Sequence, residues 1–125
     1  MAKMIFVNLP ITLLARSTAF YAALGATKNP KFSDETSTCM VFSETIYAML
    51  LTHEKYRHFT LRPIADARAT SSALIALSFD SRDEVNSTID RAVAAGGQAD
   101  PNPIQDHGFM FGRSVQDPDG HVWEI

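Results

Sequence analysis

The order strand, helix, three strands occurs twice along this chain, and that repetition constrains the fold more than any other feature. Residues 5–11 place Ile5, Val7, Leu9 and Ile11 at alternate positions. That is the period of a strand with one buried face. Residues 13–24 follow as a helix with Leu13, Phe20 and Leu24 on one stripe and Ser17 and Tyr21 beside it. Thr12 is its expected N-cap and Gly25 its terminator. A weak edge strand is expected over 26–33, interrupted by Asn29-Pro30. A hairpin of 38–43 and 46–52 then turns at Glu44-Thr45.

After a polar, basic stretch the pattern restarts. A strand is expected at 73–79. A helix follows, opened by the capping box Ser81-x-x-Glu84 and closed by Gly96, with Val85, Ile89, Ala92 and Val93 as its stripe. A weak strand near 98–101 leads to a closing hairpin around Asp117-Pro118-Asp119-Gly120. Residues 5–11 superpose on 73–79 at an offset of 68, and 38–51 on 112–125 at an offset of 74.

A βαβββ unit covers one sheet face with its helix and leaves the other face free. The expected class is therefore α+β: two tandem modules forming a curved mixed sheet around one concave pocket. The 125 residues make a single domain. Module 1 is read as about 1–52, a linker as about 53–71 and module 2 as about 72–125.

Composition removes other classes. The chain has 11 basic and 14 acidic residues, a net charge of −3, and no basic stripe of the kind nucleic-acid binders carry. Its apolar runs, including Leu74–Leu77, reach six residues at most, too short to span a bilayer. MAKMIFVNLP reads as the first strand and not as a signal peptide. Cys39 is the single cysteine, which excludes an internal disulfide and a cysteine-based zinc site. No nucleic-acid or membrane partner is expected, and a reduced, cytoplasmic location is.

Two stretches carry a resemblance to a known family. LPITLLARSTAFYAALGA resembles the opening strand and helix of the vicinal oxygen chelate superfamily, and GRSVQDPDGHVWEI resembles its closing hairpin. That superfamily includes glyoxalase I, extradiol dioxygenases and bleomycin-resistance proteins. Leu13 stands where relatives usually carry a capping Asp, a role assigned here to Thr12.

Alternation predicts which residues face the pocket. With odd residues of the first strand under the helix, Phe6 and Asn8 face it, and the offset maps them to Leu74 and Ala76. Trp123 is the core residue of the last strand, which turns Val122 and Glu124 to the pocket. In the matching strand Met49 and Leu51 are assigned to the core, and Ala48 and Leu50 to the pocket. Pairing across the closing turn places Arg113 opposite Glu124, and Cys39 opposite Leu50.

The resemblance implies that metal-dependent relatives draw four ligands from the positions of Phe6, Leu50, Leu74 and Glu124. Only Glu124 offers a donor there, so no metal site and no cofactor are expected. His107 is the histidine closest in sequence to the pocket-lining strand. The expected ligand-binding residues are thus Phe6, Asn8, Leu50, Leu74, Arg113, Glu124 and His107, with Glu124 as the candidate catalytic group. Two readings stay open. One is a small-molecule binding protein of the bleomycin-resistance type. The other is a lyase, isomerase or dioxygenase-type enzyme, such as a lactoylglutathione-lyase-like one. A homodimer is implied by the resemblance.

Overall fold

In the computed structural model, which describes residues 2–125, the first alternating segment forms β1 (Ile5–Ile11). Leu9 and Ile11 are buried, whereas Ile5 at its start is largely exposed. Helix α1 (Leu14–Ala23) follows. Its N-cap is Leu13, with no side-chain cap bond, so Thr12 is not the cap; it lies one residue too early and accepts from Arg16 Nη2 at 2.9 Å instead. Leu13 accordingly leaves the buried stripe and is 58% exposed, while Ser17, Phe20, Tyr21 and Leu24 are fully buried. Gly25 ends the helix at φ +116°, the left-handed conformation that a C′ glycine supplies.

The weak strand shortens to β2 (Thr27–Asn29), because Pro30 has no N–H for the ladder and opens a 3₁₀ turn over Pro30–Phe32. Strands β3 (Ser37–Val41) and β4 (Ile46–Thr52) complete the first sheet, in the order β1-β4-β3-β2, and α2 (His53–Tyr56) follows directly. The β1–β4 pair is parallel and the other pairs are antiparallel.

The second half contains β5 (Ile75–Ala76), α3 (Arg82–Ala94), β6 (Gln98–Ala99), β7 (Gln105–Asp106), β8 (Phe111–Gly112), β9 (Ser114–Gln116) and β10 (Val122–Glu124). Its four-stranded sheet has the order β5-β10-β9-β6, the counterpart of the first. The β7–β8 hairpin is an addition that forms a separate two-stranded sheet. Ser81 caps α3 by accepting from Glu84 N–H, as the capping box requires, while Glu84 reaches back to Asp80 N–H. Thr88 takes the place expected for Val93 on the buried stripe; Val93 is 43% exposed.

The chain divides into two compact units, one reaching to Ala65 and the other comprising Asp66–Ile125. The stretch read as a linker is therefore shared: α2 packs on β1 and β4, whereas Arg68 donates to the Pro118 carbonyl in the second unit.

Both hairpin loops are one residue longer than alternation suggests, the first extended toward its N-terminal strand and the second toward its C-terminal one. In the first, Phe42 N–H donates to Ile46 C=O, and Ser43 Oγ accepts from the N–H groups of Thr45 and Ile46. The loop is thus Ser43-Glu44-Thr45, and Cys39 pairs with Met49 while Thr38 pairs with Leu50. In the second, Asp117 N–H donates to His121 C=O and Asp117 Oδ1 accepts from Asp119 and His121 N–H. Here Glu124 pairs with Ser114. Arg113 exchanges both backbone bonds with Ile125, not with Glu124. A side-chain oxygen stabilises the longer loop in each case.

Gly120 closes the second turn at φ +104°, and a Cβ there would lie 2.7 Å from the backbone nitrogen of Arg68. Gly120→Ala is expected to destabilise the protein by at least about 2 kcal/mol in urea unfolding, because strain and a backbone clash add. A loss under about 0.5 kcal/mol, the range of ordinary surface changes, would contradict this packing.

Candidate functional site: the open faces of the two sheets

Helix α1 covers one face of the first sheet, and a single contact fixes which. Thr18 Oγ1 lies 3.2 Å from Thr38 Oγ1, so the covered face is that of Thr38 and its partner Leu50. Leu50 pairs with Leu9 and is fully buried, as is Ala48. Both therefore belong to the core. This corrects their assignment to the pocket: the turn is a residue longer, and a one-residue slip moves every side chain of a strand to the other face.

The open face of the first sheet is consequently formed by Phe6 and Asn8 of β1, Tyr47 and Met49 of β4, and Cys39 of β3. Phe6 pairs with Tyr47, and Asn8 with Met49, which pairs in turn with Cys39. The Phe6 and Tyr47 rings stack at 4.6 Å with 11° between their planes. Phe6 is 48% exposed. The Tyr47 hydroxyl donates to the Glu44 carbonyl, which anchors the far end of the pair. Asn8, itself exposed, donates from Nδ2 to the Phe6 carbonyl at 3.2 Å. Cys39 is buried, and burial raises its thiol pKa, which opposes a nucleophilic role. Sequence reasoning missed Tyr47 and Met49. The signal that could have found them is Ser43, whose hydroxyl caps the turn.

In the second unit Glu124 and its partner Ala76 lie on the corresponding open face, and Leu74, just before β5, is exposed. Ile75 pairs with Trp123 and Ala76 with Glu124, so alternation puts Trp123 with the buried Val115 on the other side. Arg113 faces that other side too. Its guanidinium holds Asp100 through two bonds, 3.0 Å from Nε and 2.7 Å from Nη2, and donates to Asn86 Oδ1 of α3. The Asp100 hydrogen bonds raise the Arg113 pKa further. The expected Arg113–Glu124 pair is thus replaced by Arg113–Asp100, a partly buried structural ion pair. His107 sits exposed on the β7–β8 loop, 3.1 Å from Gln105 Oε1, and its ring lies 6.5 Å from that of Phe109. Asp106 on the same hairpin receives two bonds from Arg82, at 2.8 and 3.0 Å, while the Arg82 guanidinium lies 4.2 Å over Phe111.

The corrected register also corrects the repeat. Asn8 pairs with Met49 as Ala76 pairs with Glu124, so the partner of Glu124 in the first unit is Met49, at an offset of 75. The four positions that a metal-dependent relative would use become Phe6, Met49, Leu74 and Glu124. The first unit contributes a phenyl ring and a thioether and the second an isobutyl group and one carboxylate, a donor set that does not fit a divalent metal. Among the described residues no three His, Cys, Asp or Glu side chains gather in a way that could hold one elsewhere.

Two predictions follow from these contacts. In a double-mutant cycle, Arg113→Gln should couple to Asp100→Asn by about 1 kcal/mol or more and to Glu124→Gln by nothing measurable. The reverse would restore the Arg113–Glu124 pair. The two Arg82 bonds, with help from Gly108 N–H, push the Asp106 pKa down to about 2. A depressed carboxylate stabilises the fold above its unfolded pKa of about 4, and that stability is lost as pH falls toward 2. Asp106→Asn should flatten the acid side of the urea-midpoint profile between about pH 4 and 2; an unchanged profile would contradict the ion pair.

Comparison with known proteins agrees with this architecture. No curated protein matches the chain by sequence. A glyoxalase-related enzyme from Fulvimarina pelagi is similar in structure, with a TM-score of 0.81 at 24% identity over 100% of this chain and 87% of that one. The bleomycin resistance determinant encoded on transposon Tn5 has a TM-score of 0.64 at 18% identity, over 98% and 95% of the two chains. The fosfomycin resistance protein FosX from Listeria monocytogenes has a TM-score of 0.68 at 17% identity, over 99% and 89%. At these identities the likeness establishes the fold. The family model for the Glyoxalase/Bleomycin resistance protein/Dioxygenase superfamily matches residues 3–125, and with the paired βαβββ units this makes the chain a member of that superfamily.

Proposed function

We propose that this protein binds a small, flat, largely apolar organic molecule on the open face of its N-terminal sheet, without a divalent metal. The observation that carries this reading is the Phe6–Tyr47 pair, two parallel rings of which Phe6 is half exposed on the face opposite α1. A flat ligand gains apolar burial and an offset stack there. Asn8 supplies a hydrogen bond to a ligand N–H or O–H, and the Met49 thioether an adaptable apolar contact. Leu74, exposed just before β5, and Glu124, on the open face of the C-terminal sheet, are assigned binding roles, Glu124 toward a donor or cationic group. His107 is assigned a peripheral one. Similar folds named for resistance to bleomycin and fosfomycin support an organic ligand. The buried, unpaired Cys39 is consistent with a reduced cytoplasmic protein, and a homodimer completes the reading.

A second reading makes the protein a lyase or isomerase. It is favoured by one observation, a half-buried carboxylate at Glu124 opposite the uncharged Ala76, where it could take a proton from a carbon acid.

Thermal-shift and calorimetric titration with flat aromatic and saturated compounds of similar size separates the outcomes. Flat compounds should raise the melting temperature, and Phe6→Ala should weaken the best of them about tenfold without loss of folding. Equal affinity for the Phe6→Ala protein, or silence with every flat compound, would reject the site.

A further inference from the structure

The basic stretch at the end of the first unit has no part in the proposed ligand site, and it places cations beside the most exposed apolar side chains of that unit. Between His53 and Arg62 stand Lys55, Arg57 and Arg62 against the single carboxylate of Glu54, a formal +2 in a chain of net −3. Leu61 is 105% exposed and Phe59 is 70% exposed. Arg57, His58 and Arg62 are exposed as well.

These side chains are displayed by an ordered backbone. Arg57 N–H donates to His53 C=O, His58 N–H to Lys55 C=O and Phe59 N–H to Tyr56 C=O, each at 3.0 Å. Thr60 Oγ1 accepts from Arg62 N–H at 3.2 Å. The Lys55 ammonium lies 5.7 Å from the Phe59 ring centroid, so cation and apolar ring form one feature. Of the other strongly exposed aromatics, Phe32 stands in the 3₁₀ turn beside one lysine, Lys31, and Phe109 sits on a hairpin whose cation, Arg82, is already held by Asp106.

We propose that the His53–Arg62 segment docks this protein on an anionic lipid surface. Full exposure of Leu61 describes a projecting tip and not a groove, which suits insertion into a deformable interface better than reception of a peptide. Lys55, Arg57 and Arg62 complement acidic headgroups, and Phe59 and Leu61 enter the headgroup–acyl boundary. No helix among the described residues is long and apolar enough to cross a membrane, so the contact is peripheral. It revises the expectation of no membrane partner, which rested on the absence of a spanning segment.

Co-sedimentation of the full chain with phosphatidylcholine vesicles, with and without phosphatidylserine, tests this. Binding should require phosphatidylserine and weaken as salt rises. Arg57→Gln with Arg62→Gln should weaken it roughly 25-fold, about fivefold per cation. Phe59→Ser with Leu61→Ser should weaken it roughly tenfold at low salt. Both double variants should melt within about 3 °C of the parent, since these side chains are exposed. No binding by the parent chain, or equal binding to vesicles lacking phosphatidylserine, overturns the proposal. Loss with the charge variant but not with the apolar variant also overturns it, and assigns the segment to an acidic polypeptide.

Discussion

The parallel pairing of β1 with β4 decides what every other side chain in the first unit can do. Leu9 opposite Leu50 commits one face to α1, where Phe20, Tyr21 and Leu24 complete a core without exposed surface. The same register commits Phe6, Asn8, Tyr47 and Met49 to the other face. Burial of apolar area under the helix is what holds this choice, because a slip by one residue would expose Leu50 and bury Asn8. The second unit repeats the arrangement with Ile75 opposite Trp123 and Ala76 opposite Glu124. The candidate site is thus the residue of a packing decision: it consists of what the core does not use.

Much of the architecture was legible in the chain. Alternation in Ile5–Ile11, the capping box at Ser81 and the terminating glycines at 25 and 96 each have a local physical cause that acts wherever such residues occur. Their repetition in one order was enough for the paired βαβββ fold. The register was not legible. Ser43 and Asp117 lengthen their hairpin loops by accepting backbone N–H groups through side-chain oxygens, and alternation in the flanking strands reads equally well with either loop. A loop one residue too short was therefore expected in both halves. That expectation turned Leu50 outward, hid Met49, and set Arg113 against Glu124. The Arg113–Asp100 pair was out of reach for a related reason, since Asp100 adopts φ +54° in a connection that carries no periodic signal.

The corrected register strengthens the account of the site's chemistry. With Met49 in place of Leu50, the positions that relatives fill with metal ligands carry a ring, a thioether, an alkyl group and one acid. The open face of the first unit thus offers stacking and apolar contact with Asn8 as a polar group, and that of the second unit carries Glu124. In this reading fold and chemistry have separated: the superfamily scaffold is retained, and the recognition elements on it are those of a binding protein.

Metal content is the most direct test of that separation. The purified chain would be incubated with excess zinc, nickel or manganese, desalted, and its metal-to-protein ratio measured by elemental analysis. The arrangement of Phe6, Met49, Leu74 and Glu124 predicts retention far below one ion per chain for each metal. One tightly retained ion per chain, lost in the Glu124→Gln variant, would contradict it.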